Sequence, residues 1–531
     1  MEYVLTAQEM ANADHYTSEV IGIPSLVLME RASLGVAEEI VKDFPCPGHH
    51  VRIAVLAGKG NNGADAIATG RILREQGYEV KVFLVGGGNS TSEQDIDTPL
   101  NRQVQILSFY GTKAEPFSEE DVLCFRPDVV IDGLFGTGLS RTIKDPYASA
   151  VNAINQAKNE WGSRIYSVDI PSGIDGTTGQ VMGCAVQADV TVTFAFYKRG
   201  HFLYPGCEYC GKVVLKDIGI TQKSLSSEPE MMTYRTETCE QLLPRRKPDA
   251  NKGTFGKVLL IAGSQNVCGA CILSAEAILR MGAGMIKVFT HSHNFPVLEE
   301  ALPEAMYCLY EDENTTENDV EMLNDALNWA DVVAIGPGIG FYPRSKDMLN
   351  HVLCYASSSE QRRKEGGKKK LGLVIDADAI RLIAEENQYE DLKQAGEHAE
   401  VILTPHLSEA SELLKKDIND LKMHRIELGK EFAREYSCTL VLKDARTMVV
   451  SHDSSRVYLN TSGNNGLSKA GSGDVLTGIV ASCLAQGMHA FDAGCVSTYI
   501  HGRAAEVKSK DMKCRSITAS DIIQALSSDS L

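Results

Sequence analysis

The sequence predicts an α/β protein built as two successive parallel-sheet domains. Three observations carry that prediction. Short Val- and Ile-rich runs recur along the chain, amphipathic stretches separate them, and Gly-rich polar turns follow several of them. A strand buried on both faces has no polar side to alternate with. Continuous apolar runs divided by helices therefore read as a mostly parallel sheet covered on both faces.

In the first half the strand runs are Val51–Ala57, Val80–Val85, Val129–Ile131, Ile165–Ile170, Val190–Phe196 and Lys212–Leu215, with helices expected at Ala66–Gln76 and Tyr147–Lys158. The stretch Ile220–Thr238 is polar and reads as a linker. A second series follows at Lys257–Ala262, Met285–Phe289, Val332–Ile335, Leu373–Ile375, Val401–Leu403, Leu440–Leu442 and Thr447–Val450, closed by a long helix near Asp474. The predicted division is residues 1–222, a linker at 223–235, and residues 236–531. The segment Gln361–Lys370 is basic and Gly-containing and reads as a solvated loop. The halves share architecture but no internal repeat.

Composition narrows the partners. The formal net charge of −18 repels phosphate backbones and anionic membranes, so neither nucleic acid nor membrane is an expected partner. Glu2, Glu9, Asp14 and Glu19 interrupt the first twenty residues, so no secretory leader is expected. No apolar run is long enough to span a bilayer. The 14 cysteines are scattered, as in a reduced, cytoplasmic protein. Cys207/Cys210 and Cys268/Cys271 are two Cys-x-x-Cys pairs, but they lie too far apart for a shared zinc site.

The first strand runs into Gly58-Lys59-Gly60-Asn61-Asn62-Gly63-Ala64-Asp65, a literal G-x-G-x-x-G with acidic Glu79 further on. The plain reading is a fold that binds NAD as an oxidant. However, a turn that only hugs phosphate does not need two asparagines and an aspartate. These supply amide and carboxylate oxygens, which suit a hard cation or a polar ring substituent. Two more strand ends carry the same chemistry, in Asp132-Gly133-Leu134-Phe135-Gly136-Thr137-Gly138 and in Asp169-Ile170-Pro171-Ser172-Gly173-Ile174-Asp175. Such residues are common in ordinary βα turns. Three polar turns at one sheet edge nevertheless point to a site.

Together with Thr6–Met10 and Leu28-Met29-Glu30-Arg31-Ala32, these motifs make residues 1–220 resemble the YjeF N-terminal family, the NAD(P)H-hydrate epimerases. The resemblance implies a Rossmann-like three-layer domain that holds a hydrated nicotinamide. The implied contacts are Asn61, Asn62, Gly63, Ala64 and Asp65, then Gly136, Thr137, Gly138, Leu139, Ser140, Arg141 and Thr142, then Asp169. It also implies potassium at Asn62, Asp132 and Ser172, and catalysis by Asp169. The family's Asn-Asn-Gly-Gly-Asp-Gly stands here as Asn61-Asn62-Gly63-Ala64-Asp65-Ala66. A positive φ at Ala64 would strain the backbone.

The second half ends its motifs with Gly466-Leu467-Ser468-Lys469-Ala470-Gly471-Ser472-Gly473-Asp474. A Gly-rich loop entering a helix can hold phosphate oxygens on free N–H groups, and no Gly-Lys-Ser/Thr makes this a Walker loop. Asp474 is placed to accept a proton from a hydroxyl beside a transferred phosphoryl group. The bland alternative is that it caps the helix. The loop resembles the ribokinase-like superfamily. Asn251–Gly256, Gly336–Gly340, Asp376-Ala377-Asp378, Leu403–His406 and Asn464-Asn465-Gly466 narrow the resemblance to the NAD(P)H-hydrate dehydratases over residues 236–525. It implies hydrate contacts at Ala270, Gly338, His406 and Asp474. Nucleotide contacts are implied at Lys443, Asp444, Ala445, Arg446, Thr447 and Gly473, with magnesium and with ADP as co-substrate. The family's His-Pro-Gly-Glu stands here as His406-Leu407-Ser408-Glu409.

The two resemblances imply a cytoplasmic repair enzyme. It would interconvert the R and S hydrates of NADH and NADPH (NADHX and NADPHX) and dehydrate the S form at the expense of ADP, giving AMP and phosphate. ATP is the fallback donor, and a homo-oligomer is the expected assembly. The competing reading is a small-alcohol or vitamin kinase fused to a non-catalytic Rossmann-like binding module.

Overall fold

The computed structural model describes residues 1–45, 51–86, 98–311, 314–365 and 370–528, and the chain divides into compact units at Glu2–Glu230 and Met231–Leu531. In the first unit a seven-stranded sheet runs in the order Ala114–Pro116, Glu79–Leu84, Arg52–Ala57, Val129–Gly133, Arg164–Val168, Val190–Phe194, Lys212–Lys216. Every pairing is parallel.

Side chains alternate between the two faces of a strand. Ile53, Val55 and Ala57 enter one core with Leu28, Val36, Ile40 and Ile67, from the helices Ser25–Asp43 and Asn61–Glu75. Ala54 and Leu56 enter the other with Val151 and Ile154 of the helix Tyr147–Trp161. The unbroken apolar run Ile53–Ala57 in a central strand is thereby explained. The leading helix Ala7–Tyr16 starts at a capping box: Glu9 N–H donates to Thr6 Oγ1 at 3.1 Å, and Thr6 N–H donates to Glu9 Oε2 at 2.7 Å.

In the second unit the strands run Met306–Tyr310, Met285–His291, Lys257–Ile261, Val332–Ile335, Gly372–Ile375, Glu400–Leu403, Thr439–Leu442, all parallel. Met448–Ser451 and Ser454–Leu459 then add antiparallel, and Met231–Thr233 pairs parallel with the last of these. The closing helix is Ser472–Ala485.

The α/β class expected from the sequence holds in both units, with differences in detail. The polar stretch read as a linker contains the buried strand Met231–Thr233, too short to stand out in a pattern, and the first residues of the helix Thr236–Leu242. The segment read as a loop at 361–370 begins as helix, because Pro343–Glu365 is continuous; residues 366–369 lie outside the described residues.

Ala64 and Ala66 lie in the helix Asn61–Glu75, and Ala64 is not among the positive-φ residues, so no strain arises there. Ala66 fits because its neighbour is glycine. A Cβ built on Gly133 would lie 2.3 Å from Ala66 Cβ and 2.9 Å from Asn62 O. Gly133→Ala is therefore expected to destabilise the first unit by about 1–3 kcal/mol through overpacking. Chemical denaturation of the full chain checks this, and an unchanged first transition contradicts it.

Candidate active sites

Three strand ends of the first unit meet at a cavity of about 1140 Å³. The turn after Arg52–Ala57 is tight: a Cβ on Gly58 would fall 2.0 Å from Leu134 O, and one on Gly63 would fall 2.0 Å from Gly58 O. Gly60 faces open space, so its absence of a side chain is not forced. Glu79 sits at the opposite, amino edge of the sheet, paired with Arg52 at the start of the strands. It cannot reach a ligand at the carboxyl edge, and the plain NAD-oxidant reading of the glycine pattern fails there.

Asn61, Asn62, Asp65, Gly136, Thr137, Gly138, Leu139, Arg141, Thr142 and Asp169 line the cavity. Gly63 and Ala64 are buried behind its wall and Ser140 is turned to solvent, so these three expected contacts do not line it.

Behind the wall lies a cluster of oxygens. Asp132 is fully buried and accepts from Ser167 Oγ at 2.7 Å, Ser172 N at 2.9 Å, Ser172 Oγ at 2.6 Å and Leu134 N at 3.3 Å. Asn62 Nδ2 and Ser172 Oγ both reach Phe135 O, at 3.0 and 3.2 Å. Burial raises the Asp132 pKa despite these donors, all of which are neutral. A buried carboxylate answered only by neutral donors, beside a carbonyl and an amide, is a setting that a hard monovalent cation fits. The structure thus brings Asn62, Asp132 and Ser172 together.

Asp169 occupies the left-handed region at φ 68°. Its carboxylate bonds Thr193 Oγ1 at 3.0 Å and the ammonium of Lys198, which is 1% exposed. Lys198 Nζ also donates to Thr193 Oγ1 at 2.8 Å and Phe194 O at 3.2 Å. His201 locks this turn. Its Nδ1 accepts Lys198 N–H at 3.1 Å, which leaves Nε2–H to donate to Asp169 O at 2.9 Å. Burial, then the Lys198 charge, pulls the His201 pKa down to about 4, so the ring is neutral.

Sequence reasoning missed Lys198 and His201. The available signal was their place in Tyr197–His201, just past a strand's carboxyl end. Asp175, by contrast, is spent on its own turn, accepting from Thr177 N and Thr178 N at 2.9 and 2.7 Å.

In the second unit the strand ends at Ile335, Ile375, Leu403 and Leu442 lie side by side. Gly338, at φ 65°, stands against the start of the helix Gly269–Arg280: a Cβ there would be 3.3 Å from Ala270 Cβ, so these two expected contacts are neighbours. Ala377 at φ 49° turns the chain between two carboxylates. Asp378 accepts Gly340 N–H at 2.9 Å. Asp376, 1% exposed, accepts from Lys443 Nζ at 2.8 Å and Thr477 Oγ1 at 2.5 Å.

Burial works against the Lys443 ammonium, yet Asp376, Glu409 and Asp474 together hold its pKa above the ordinary value. A Cβ on Gly473 would be 3.4 Å from Lys443 Nζ, so this cation sits beside the loop that opens the helix Ser472–Ala485. Asp444, Ala445, Arg446 and Thr447 form the partly exposed turn that follows, with Asp444 held by Arg425 at 2.9 Å.

The helix cap is Gly471, at φ 89°, and Asp474 is the third helical residue. Capping is therefore not its role. Burial first, then repulsion from Asp376, pushes the Asp474 pKa up to about 6. His406 does cap a helix. Its Nδ1 accepts from Ser408 N and Glu409 N at 3.2 Å each, while 55% of its side chain stays exposed. The Leu407-Ser408 departure leaves this box intact, because Glu409 answers His406 N–H at 2.8 Å. Below the loop, His501 meets Ser472 Oγ at 3.2 Å; burial, then Lys443, pulls its pKa down to about 4. Lys443→Met, which strands Asp376 unpaired, is expected to lower stability by about 3–5 kcal/mol. Denaturant titration of the full chain reads this, and a loss below 1 kcal/mol would remove the pair from the unit's framework.

Comparison with known proteins divides the chain the same way. The family described as YjeF-related protein N-terminus matches residues 25–200, and the family described as NAD(P)H-hydrate dehydratase matches residues 258–528. The bifunctional NAD(P)H-hydrate repair enzyme Nnr of Moorella thermoacetica is 33% identical over 534 residues, covering 99% of this chain and 96% of that protein. The enzyme of the same name from Escherichia coli is 30% identical over 522 residues, covering 98% and 92%. A crystal structure of a ribokinase-like superfamily protein from Enterococcus faecalis is 28% identical at a TM-score of 0.47, covering 57% of this chain and 95% of that one.

Proposed function

This chain belongs to the family of bifunctional NAD(P)H-hydrate repair enzymes, and we propose from that premise how its two sites divide the work. The fold is Rossmann-like in the first half and ribokinase-like in the second, and the activity is repair of hydrated nicotinamide cofactors by epimerisation and dehydration. The kinase-plus-binding-module reading is not favoured.

Epimerisation belongs to the first unit, where Asp169 handles the proton of the hydroxyl on ring carbon six. The cavity residues Asn61–Asp65 and Gly136–Thr142 hold the hydrate, with Gly63, Ala64 and Ser140 supporting the loops rather than facing the ring. Asn62, Asp132 and Ser172 would hold potassium, and its charge would offset the buried Asp132 carboxylate.

Dehydration belongs to the second unit. Asp474 removes the proton of the same hydroxyl, whose oxygen attacks the terminal phosphoryl group of ADP and releases AMP. The new phosphate ester is a good leaving group, and its loss with a ring proton restores the dihydropyridine. The observation that carries this reading is Asp474 itself: a carboxyl whose pKa burial raises to about 6, in the first turn of a glycine-opened helix, beside a lysine. Helix N–H groups around Gly473 and the Lys443 ammonium receive the phosphates. Ala270, Gly338 and His406 bound the hydrate, and Asp444–Thr447 bound the adenosine side.

Among the described residues no three His, Cys, Asp or Glu side chains are grouped to hold a metal ion. Magnesium brought in with the nucleotide would supply charge neutralisation for its phosphates. No described helix is long and apolar enough to cross a membrane. A cytoplasmic homo-oligomer using ADP in preference to ATP completes the proposal.

The deciding assay is chromatography of mixed R and S hydrates with enzyme, ADP and magnesium. Full conversion to NADH or NADPH is expected from the intact chain. Asp169→Ala should stall after the S form is consumed, once spontaneous epimerisation is subtracted. Asp474→Asn should lose dehydration by about 10²–10⁴-fold and keep epimerisation. Fragments 1–230 and 231–531 should separate the two activities. No consumption of either epimer by the intact chain overturns the reading.

The pH dependence follows from the raised Asp474 pKa. A base must be ionised, so dehydration measured as kcat/KM should fall tenfold per unit as pH drops below about 6. Lys443 favours the ionised form, so a lysine-free variant with residual turnover should show this limb at higher pH. A rate flat from pH 5 to 8 would remove Asp474 as the base.

A further inference from the structure

The epimerase cavity carries a second carboxyl group in a setting opposite to that of Asp169. Asp65 arrives on the helix Asn61–Glu75, which follows the strand Arg52–Ala57; Asp169 follows Arg164–Val168. Val129–Gly133 lies between those strands in the sheet. Adjacent strands are about 4.8 Å apart, so the two turns begin roughly 10 Å from each other, room for a ring between them. Both side chains line the one cavity.

We propose that Asp65 is a second catalytic residue of epimerisation, giving the proton that releases the hydroxyl from one face of the ring. Asp169, ion-paired with Lys198, takes the proton from the water that adds to the other face. The proposal rests on the epimerase reading above.

Inversion at one carbon requires oxygen to leave one face and return to the opposite one. A single carboxylate fixed to one wall serves only one face. Two carboxyls on different walls, one giving a proton and one taking it, serve both. The atoms balance. The Asp65 carboxyl proton passes to the C6 hydroxyl, the C6–O bond breaks, water leaves, and the ring nitrogen's lone pair forms the C6=N bond. A second water adds its oxygen to C6 from the other side, the C=N pair returns to nitrogen, and the released proton goes to the Asp169 carboxylate. One proton has moved from Asp65 to Asp169, and exchange with solvent resets both. The reverse epimerisation uses the same two groups in exchanged roles.

The charged surroundings agree. Burial, then the charges of Asp169 and Asp14, raises the Asp65 pKa well above the ordinary value, favouring the acid form. Asp169 instead bonds the buried Lys198 ammonium, with neutral His201 fixing the turn between them. Asp14 is itself raised by burial and by Asp169, with His15 and Lys198 opposing. Lys198 is a positioning residue, acting on the substrate only through Asp169.

The experiment follows conversion of pure R hydrate by the full chain without ADP, so that dehydration does not drain the product. Wild-type enzyme comes first, and no epimerisation above the spontaneous rate sinks the epimerase reading itself. With activity present, Asp65→Asn should lower kcat by about 100-fold or more with KM little changed. A raised KM with intact kcat makes Asp65 a binding residue only and overturns the proposal. Lys198→Met should lower kcat about tenfold or more with KM little changed, and Lys198→Arg, which keeps a cation on Asp169, should restore most of it. Equal activity in Lys198→Met and the wild type, or no rescue by Lys198→Arg, overturns the role of Lys198. Wild-type turnover in ¹⁸O-water needs no variant: each inversion should place solvent oxygen on carbon six, and retention of the original oxygen overturns the two-carboxyl route even where Asp65→Asn fails to fold.

Discussion

Parallel pairing is the constraint on which both sites depend. When every strand points the same way, every carboxyl end falls on one edge, and the turns leaving that edge must converge. Asp132 and Asp169 are 37 residues apart in sequence, and Asp65 and Lys198 are further apart still, yet one cavity wall collects or abuts all four. The same geometry gathers Gly338, Asp376, His406 and Lys443 in the second unit. The register also decides what is excluded. Glu79 has the residue type and spacing for a ribose contact, but it belongs to the wrong end of its strand. A motif match therefore carries meaning only once the strand direction is known.

How much was legible in the sequence follows from the same physics. Strands buried on both faces announce themselves as Val/Ile runs, and the glycine turns at their ends are visible because close backbone approach forbids a Cβ. Gly58 and Gly63 show this, each with a carbonyl oxygen where a side chain would begin. Short edge elements leave no such mark: Met231–Thr233 and Ala114–Pro116 are three residues long. Side-chain partners across the fold leave none either. Lys198 reads as one lysine in Tyr-Lys-Arg-Gly-His until the structure places its ammonium on Asp169. Asp474 was found by its loop, but its rank in the helix, third rather than cap, needed coordinates. Ala64 and Ala66 replace the family's glycines without strain, because both are helical and neither needs a positive φ.

The two units settle one electrostatic problem by similar means. Each hides a lysine against an aspartate: Lys198 on Asp169, Lys443 on Asp376. A buried ion pair stabilises little by itself, since both charges must leave water. What it supplies is a known charge at a known place. In the first unit that charge belongs to the reacting carboxylate. In the second it belongs to a neighbour, and the reacting carboxylate of Asp474 is left where Asp376 repels it and Lys443 attracts it. The difference matches the chemistry. Asp169 is held in place by Lys198, Thr193 and the His201-locked turn. A base that takes a proton while a phosphoryl group arrives works best near the ambient pH, where proton affinity and the fraction ionised are both appreciable. The cost falls on the backbone around each pair, in the left-handed turns at Asp169 and Ala377, where side-chain-bearing residues sit in a conformation that favours glycine.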